Sequence, residues 1–242
     1  GIIVYYPKTE CFFYHTQIMD EPNSLSNEFV NAISFEGDTI VWIGTLQGGL
    51  NKGKIIDLEQ GKIEFEHFTY NYNQPGSISE NQISCIFLGS NNNLWVGTAN
   101  SGLNLYNRET NSFNRFDKNH GLASNNINSI LEDNQGNLWI ATMAGITKMN
   151  GDGSTIVNYS LALDKQIVYY NGNGCFSLDD KLIFSTRENF IAFEPGELAN
   201  HPAPDEVRLT EFKINNQVLR PEEKYNNKVI LNRVIDKTSS LI

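Results

Sequence analysis

Cysteine is scarce in this sequence, and its spacing excludes two common kinds of stabilised scaffold. Cys11, Cys85 and Cys175 are odd in number, and none forms a C-x-x-C pair. Neither a disulfide framework nor a zinc site is therefore indicated, and we predict no metal and no cofactor. Cys85 stands where neighbouring copies of a repeat, described below, have Ala32 or Ser129, which indicates a small interior residue.

Clustered positive charge and long apolar runs are also missing. The 18 basic and 28 acidic residues give a formal net charge of −10, and the basic ones are scattered along the chain. This pattern argues against nucleic acid as a partner. No stretch approaches the roughly 18 consecutive apolar residues of a membrane span, and the start, GIIVYYPKTE, lacks the features of a signal peptide. We expect a soluble segment, taken from a longer protein because both ends fall within strand-like sequence.

No catalytic constellation is apparent. The histidines at positions 15, 67, 120 and 201 share no spacing, so they favour surface positions over a metal cluster or a Ser-His-Asp arrangement. The stretch 133–137 resembles the start of a calcium loop but lacks the later acidic ligand, and a hairpin turn is the better interpretation. The glycine-rich stretch 171–174 is not followed by the Lys-Ser or Lys-Thr of a phosphate-binding loop and is predicted to be a strand-entry loop.

What the sequence does contain is a repeat. Trp95 is preceded at twelve positions by Ile83 and followed by a Gly-Thr pair and, at eight positions, by Leu103. The same frame surrounds Trp42, and Trp139 has it with Ala141 in place of the glycine and with Ile146 one residue early. A weaker copy has Ile183 in the tryptophan position. The intervals between these markers are 53, 44 and 44 residues. Such a period, filled with short strands, predicts an all-β chain with one propeller blade per repeat.

Each full repeat is predicted to form a four-stranded antiparallel meander. The first strand alternates small and bulky residues and should lie innermost. The second strand carries the tryptophan, which should pack as core between blades, and a glycine or alanine that admits the neighbouring sheet. Leu25, Ile78 and Leu122 are expected to be buried tethers in the connections between blades. The longer first interval is attributed to a loop insertion between Lys52 and Tyr72.

The predicted domain boundaries follow from this repeat. Residues 1–195 should form blades: a partial one at 1–16 and repeats at about 25–70, 78–118, 122–160 and 165–195. A linker at 196–204 should precede a truncated β-sandwich at 205–242. The ring is therefore expected to be incomplete, with an unpaired inner edge at residues 2–6. Cys85 and Cys175, on first strands two blades apart, are expected to lie beyond the roughly 7 Å that a disulfide can bridge.

The repeated LWVGTANSGLNLYNRETNSFNRF and LWIATMAGITKMN, joined by HGLASNNINSILEDNQGN, resemble the regulator-propeller repeats of bacterial hybrid two-component sensors. The last repeat, followed by VRLTEFKINNQVL, resembles the passage from that propeller into a Tyr-rich sandwich domain. The resemblance implies a periplasmic sensor segment of an inner-membrane receptor that detects oligosaccharides and acts as a homodimer. It also implies a membrane anchor and a histidine kinase elsewhere in the parent protein, and no enzymatic activity in this segment.

Ligand contacts are expected where the repeats differ, in loops predicted to share one face. The loops between second and third strands contribute Gln47, Asn100, Ser101, Met143, Arg187 and Glu188. The connections between blades contribute His120 and, with it, Asn23, Asn73, Gln74 and Asn119. Amide and guanidinium groups offer the paired donors and acceptors that hydroxyl-rich or acidic glycans require. A protein-binding scaffold and, less favoured, a propeller lyase or glycosidase remain as alternatives.

Overall fold

The computed structural model describes residues 1–159, 170–178, 180–186 and 190–198, together with short strands at 213–214, 217–218, 224–225 and 228–229. Side chains are described for 1–159, 180–185 and 190–197. The chain divides into two compact units, Gly1–Pro195 and Gly196–Ile242.

The first unit is a series of antiparallel blades in chain order, which confirms the predicted all-β fold class. Blade 1 is the pair β1 (Ile2–Tyr6) and β2 (Cys11–His15). Blade 2 is β3 (Val30–Glu36), β4 (Ile40–Thr45), β5 (Leu50–Asp57) and β6 (Lys62–Phe68). Blade 3 is β7 (Ile83–Leu88), β8 (Leu94–Thr98), β9 (Leu103–Asn107) and β10 (Ser112–Phe116). Blade 4 is β11 (Ile127–Glu132), β12 (Leu138–Thr142), β13 (Gly145–Met149) and β14 (Ile156–Tyr159). Blade 5 contains β15 (Tyr170–Leu178), β16 (Lys181–Thr186) and β17 (Phe190–Phe193).

The first strands of successive blades lie beside one another, as predicted for the innermost position. The core lies between the blades. Trp42, Trp95 and Trp139 are fully buried, and Trp42 shares a cluster with Leu94 and Tyr106 of the following blade. The apolar faces of the sheets are therefore buried by stacking blade on blade.

Two glycines allow this close stacking. A Cβ atom on Gly44 would lie 2.4 Å from Cγ2 of Ile83, and one on Gly97 would lie 2.7 Å from Cγ2 of Ile127. Both isoleucines begin the first strand of the next blade. The prediction that this position admits the adjacent sheet is thus confirmed at both glycines.

Three sequence interpretations are corrected. Much of the insertion in blade 2 extends a hairpin, because β5 and β6 have 8 and 7 residues where β9 and β10 have 5 each. The stretch 171–174 lies inside β15, where the pairing register shifts between Tyr170 and Cys175, so it is a strand irregularity and not an entry loop. His15 is half-buried, and desolvation lowers its pKa despite an opposing backbone hydrogen bond at Gly61.

The second unit begins within a short helix, α1 (Pro195–Leu198), at the start of the segment predicted as a linker. Its described strands are β18 (Lys213–Ile214) paired with β19 (Gln217–Val218), and β20 (Lys224–Tyr225) paired with β21 (Lys228–Val229). The β-sandwich for 205–242 stays a prediction.

Candidate functional site

The two sets of loops that were predicted to carry ligand contacts meet on one face of the first unit. We call this the loop face: loops 46–49, 99–102 and 143–144, and connections 16–29, 69–82 and 117–126. In three blades the loop between second and third strands donates a backbone hydrogen bond to the residue that ends the connection before the first strand. The pairs are Leu46 N to Phe29 O at 2.9 Å, Ala99 N to Gln82 O at 3.1 Å, and Met143 N to Asn126 O at 3.3 Å.

In blades 2 to 4, a buried polar residue on the third strand fixes the connection beside it. Asn51, Asn104 and Thr147 are completely buried. Their side-chain oxygens accept backbone N–H bonds from Ser26 at 2.9 Å, Ser79 at 2.9 Å and Ala123 at 3.2 Å. A buried polar side chain is tolerated here because its hydrogen bonds are satisfied. This position was not predicted from the sequence, although it recurs eight or nine residues after each tryptophan.

In the same three blades, a side chain on the fourth strand also binds the connection, at a backbone carbonyl oxygen. His67 Nε2 lies 2.7 Å from the carbonyl oxygen of Ser24, and Asn158 Nδ2 donates to Gly121 O at 2.9 Å. Arg115 makes several hydrogen bonds to its connection. Its Nε and Nη2 donate to Ser77 O at 3.0 and 2.7 Å, and its Nη2 also donates to Ser77 Oγ at 2.9 Å. Charged donors make stronger hydrogen bonds than neutral ones.

In each connection, the predicted apolar tether lies between the residue bound by the third strand and the residue bound by the fourth strand. Leu25, Ile78 and Leu122 are only 1%, 0% and 3% exposed, which confirms them as buried anchors. Each connection is thus fixed at a tether by third-strand and fourth-strand side chains, while its other side chains vary from blade to blade. Loops of this kind on a rigid framework are where proteins commonly place binding residues.

Of the predicted site residues, Asn100 is the most firmly placed. Its backbone N–H and its Nδ2 both donate to the Glu80 carboxylate, at 2.8 and 3.2 Å. Ser101 N donates to Thr98 Oγ1 at 3.1 Å, which fixes the loop from within. Gln47 is exposed, and Met143 is 43% exposed. These four residues lie on the loop face, in three different blades.

His120 ends a short 3₁₀ helix, Lys118–His120, in the connection before blade 4. Its Nδ1 lies 2.7 Å from Asp117 Oδ1, and the Asn119 backbone N–H donates to the same carboxylate at 2.8 Å. Burial alone would raise the pKa of Asp117, but the hydrogen bonds from His120 and Asn119 outweigh it and lower that pKa. His120 and Asn119 therefore shape this connection. Arg187 and Glu188 lie outside the described residues.

A polar pocket of about 230 Å³ opens between blades 2 and 3 beside the connection 69–82. Its polar lining includes Glu66, Thr69, Asn71, Gln74 and Asn111. Asn111 Nδ2 donates to Glu66 Oε1 at 3.1 Å. The predicted residue Gln74 lines this concave site, and Gln74, Asn23 and Asn73 are all exposed. A second, more open groove of about 520 Å³ runs along 17–26 and includes Asp20 and Glu21.

The sequence analysis missed the exposed apolar side chains of the loop face. Tyr72 is 85% exposed, Met19 87% and Phe29 65%, and Tyr70 is 43% exposed. The Arg115 guanidinium lies 5.7 Å from the Tyr70 ring centroid, so the residue that holds this connection also supports its tyrosine. These side chains could have been found from the sequence, because they are bulky residues in otherwise polar connections at positions that the repeat does not account for.

Across the part of the chain that is described, no three His, Cys, Asp or Glu side chains come close enough together to hold a metal ion. In that same part, no helix has the length and apolarity needed to cross a membrane.

Comparison with known proteins relates two of the repeats to a described family. The family described as "Two component regulator propeller" matches residues 77–100 and 121–144, which hold the Trp95 and Trp139 frames. A histidine kinase of Formosa agariphila is 30% identical over 219 residues, covering 90% of this chain. The chain spans only 16% of the length of that relative.

Solved structures share the fold at low sequence identity. The extracellular domain of a protein described as a hybrid two-component system of B. thetaiotaomicron matches 78% of this chain and 25% of its own, with a TM-score of 0.62 and 18% identity. PorZ, a surface component of the type-IX secretion system of Porphyromonas gingivalis, matches 85% of this chain and 31% of its own, with a TM-score of 0.57 and 14% identity. At these identities the likeness concerns the fold alone.

The family match falls on the copies of the repeat around Trp95 and Trp139, and the match to the relative extends over 90% of this chain. The resemblance inferred from the residues is therefore confirmed at these two repeats, which match the two-component regulator propeller family.

Proposed function

We propose that this chain is an extracytoplasmic ligand-sensing module of a hybrid two-component receptor, and that its ligand is an oligosaccharide bound on the loop face. The proposal rests on one observation: the connections of the loop face are rigidly anchored, while the side chains they expose vary. Repeated buried contacts hold each connection at its tether, and exposed tyrosines and amides differ from blade to blade. A sensor needs such a preorganised surface, because ordering loops on binding would cost affinity.

The chemistry of the face favours a sugar. Tyr72 and Tyr70 offer amphipathic rings on which a sugar ring can stack, and Gln74 and Asn71 line the adjacent polar pocket. Amides pair with hydroxyl groups as both donors and acceptors. Asp20, Glu21 and Glu66 add negative charge to the two hollows on this face, which disfavours polyanionic ligands. We therefore expect a neutral oligosaccharide.

The remaining features of the receptor follow from the resemblance and belong to the same proposal. They are a periplasmic location, an inner-membrane anchor, a histidine kinase in the parent protein, and signalling as a homodimer. The kinase and the membrane anchor would lie outside this segment. The segment itself would bind the oligosaccharide without cleaving it.

Calorimetric titration of the chain with neutral and uronate-containing oligosaccharides tests the ligand class. We expect saturable binding of a neutral member and a loss of affinity of at least tenfold in Tyr72→Ala, or about 1.4 kcal/mol. Tyr14→Ala is the matched control, because Tyr14 is 73% exposed but lies on β2, outside the loop face.

Three results would contradict the proposal. Absence of binding to the whole panel would favour a protein-binding scaffold. Equal losses in Tyr72→Ala and Tyr14→Ala would remove the loop face as the site. Cleavage of the titrated oligosaccharides would make the segment an enzyme.

A further inference from the structure

The connections before blades 2 and 3 are closed by the same hydrogen bonds. In the first, Ser24 Oγ accepts the backbone N–H of Ile18 at 3.0 Å. In the second, Ser77 Oγ accepts the backbone N–H of Asn71, also at 3.0 Å. The connection before blade 4 is built differently, around the short 3₁₀ helix described above. Two of the three connections therefore have the same local structure.

Both connections also pair with the fourth strand of the blade that follows them. Phe65 N donates to Asn23 O at 3.3 Å on blade 2, and Phe113 N donates to Gly76 O at 2.8 Å on blade 3. Asn23 and Gly76 each stand one residue before the serine that closes the connection. The tips of the two connections, residues 19–22 and 72–75, are therefore held in the same way on their blades.

The two tips carry side chains of matching shape. The sequence MDEP at 19–22 stands where the second connection has YNQP at 72–75. Met19 is 87% exposed and Tyr72 is 85% exposed. Each tip thus presents a bulky group, followed by a short and a longer polar side chain. In the first tip these polar side chains are carboxylates, and in the second they are the isosteric amides.

A hollow lies beside each tip, and the two hollows adjoin. The groove of about 520 Å³ lies between the first tip and the end of β6. The pocket of about 230 Å³ lies beside the second tip, with Gln74 in its lining. His67 and Thr69 line both hollows. A ligand that fills the pocket can therefore continue past Thr69 into the groove.

The lining of the groove suits a sugar unit. Its volume lies within the range of about 300–1,000 Å³ that is usual for small-molecule sites. Ile18, Met19 and Pro22 supply apolar surface for the carbon-bound hydrogens of a sugar ring, and Asp20 and Glu21 supply carboxylates. An ionised carboxylate only accepts hydrogen bonds. The groove therefore requires a unit that donates hydrogen bonds, such as one with free hydroxyl groups, and it disfavours a uronate.

We propose that the groove is a second subsite for the oligosaccharide of the loop face, which extends from the pocket beside 72–75 into the groove beside 19–22. This inference rests on the proposed function and adds two properties of the ligand. The ligand is long enough to occupy both hollows, and the unit in the groove presents hydroxyl groups to Asp20 and Glu21. The amides of the second tip both donate and accept, so the unit in the pocket is less restricted.

Titration with neutral oligosaccharides of graded length tests the second subsite. The probes are gluco-, xylo- and manno-oligosaccharides of two to eight units. In a series that binds, we expect the affinity to rise at least tenfold between the shortest members and those that reach the groove, and then to level off. Met19→Ala should remove most of this rise and leave the affinity of the shortest binding member unchanged. Tyr72→Ala should weaken the binding of every length.

An isosteric exchange tests the chemistry of the groove. Asp20→Asn with Glu21→Gln gives the first tip the polar side chains of the second. We expect the ratio of affinities for neutral and uronate-ended oligosaccharides of equal length to fall at least fivefold, because the amides donate hydrogen bonds and do not repel a carboxylate. Asp38→Asn with Glu109→Gln is the matched control, since both residues are exposed in hairpin turns outside the loop face.

The outcomes separate this inference from the proposed function. If no oligosaccharide of the panel binds, the proposed function fails and the second subsite fails with it. If Tyr72→Ala weakens binding but the affinity does not rise with length, or if Met19→Ala leaves the rise intact, the proposed function stands and the second subsite is refuted. A fall in the affinity ratio that is as large in the control exchange would show that the groove carboxylates do not select the ligand, which would overturn their role.

Discussion

Two of the buried tryptophans donate their indole N–H to a carboxylate on the same blade. Trp42 Nε1 donates to Glu36 Oε2 at 2.7 Å, and Trp139 Nε1 donates to Asp133 Oδ2 at 2.9 Å. Asp133 also accepts backbone N–H bonds from Gln135 and Asn137, at 3.0 and 2.9 Å. The hairpin turn that resembles a calcium loop is thus closed by its own carboxylate, which caps the indole instead of a metal ion.

Replacing that carboxylate should change how stability depends on pH. Burial alone would raise the pKa of Asp133, but the hydrogen bonds from Trp139 and Asn137 outweigh it and hold the pKa below its ordinary value of 3.8. A lowered folded-state pKa contributes stability above the unfolded pKa and loses it as pH falls through the folded value. Asp133→Asn should therefore be less stable near neutral pH, by about 1–3 kcal/mol. Urea unfolding between pH 7 and pH 2.5, roughly the window in which such a group titrates, measures this.

In that titration the difference between wild type and variant should shrink below about pH 3.8. Asp38→Asn is the control, because Asp38 is exposed in the turn between β3 and β4. A constant difference across the pH range would show that the charge of Asp133 does not matter.

Gly97→Ala should destabilise the first unit by about 1–3 kcal/mol, the usual cost of overpacking a core. The added methyl group would lie 2.5 Å from Cys85 Sγ and 2.7 Å from Ile127 Cγ2. Gly196→Ala should have little effect, because no atom of the described residues lies within 4 Å of its Cβ position. Thermal unfolding compares the two, and equal melting temperatures would mean that the blades can separate without cost.

At the scale of the elements, each connection is a polar loop anchored at a few points. One apolar tether enters the core, a third-strand side chain accepts one backbone N–H, and a fourth-strand side chain binds one carbonyl oxygen. The residue types differ, with His67, Arg115 and Asn158 in the last role. The fourth-strand position is the same in the three blades, but the residue that occupies it differs. The three connections can therefore differ in how strongly they are bound.

Arg115→Met should loosen the connection 69–82 while leaving the sheet intact. It removes the charged donors to Ser77 and the cation over Tyr70, and we expect a loss of about 1.5–3 kcal/mol with faster amide hydrogen exchange confined to that connection. Lys62→Met is the control. Lys62 pairs with Glu64 at 3.4 Å on the surface, where such a pair contributes about 0–1 kcal/mol. Unchanged exchange in 69–82 would rule out the anchoring role.

At the scale of the whole molecule, stability resides between blades more than within them. The buried clusters each span two neighbouring blades, since Trp42 packs with Tyr106 and Trp95 with Ile127. Nearest-neighbour packing of this kind couples the unfolding of successive repeats.

Trp95→Ala should therefore destabilise the whole first unit, by about 3–5 kcal/mol. The expected result is a single unfolding transition at lower temperature, with binding lost only as the fold is lost. Calorimetry combined with the oligosaccharide titration checks both parts. Lost binding at an unchanged melting temperature would place this tryptophan in the ligand site and not in the core.

The repeat itself was readable from the sequence, because packing a tryptophan between sheets demands a large flat residue, a small residue two positions later and a fixed distance to the next apolar strand. These are local requirements, and Trp95, Gly97 and Leu103 satisfy them within nine residues. The shared face of the variable loops followed from strand order alone. The tethers Leu25, Ile78 and Leu122 stood out because they are apolar residues in polar connections.

The tertiary structure alone decided which polar groups meet across the chain. Asn104 reaches Ser79 over 25 residues, and Arg115 reaches Ser77 over 38. Nothing in local periodicity encodes such a contact, because Asn, Arg and Ser on a strand or loop are equally compatible with solvent until the chain folds around them. The same holds for Tyr5 and Phe12, whose pattern matches that of the buried Tyr106 and Phe113. Only the position of the neighbouring blade determines whether such a pair is core or exposed surface.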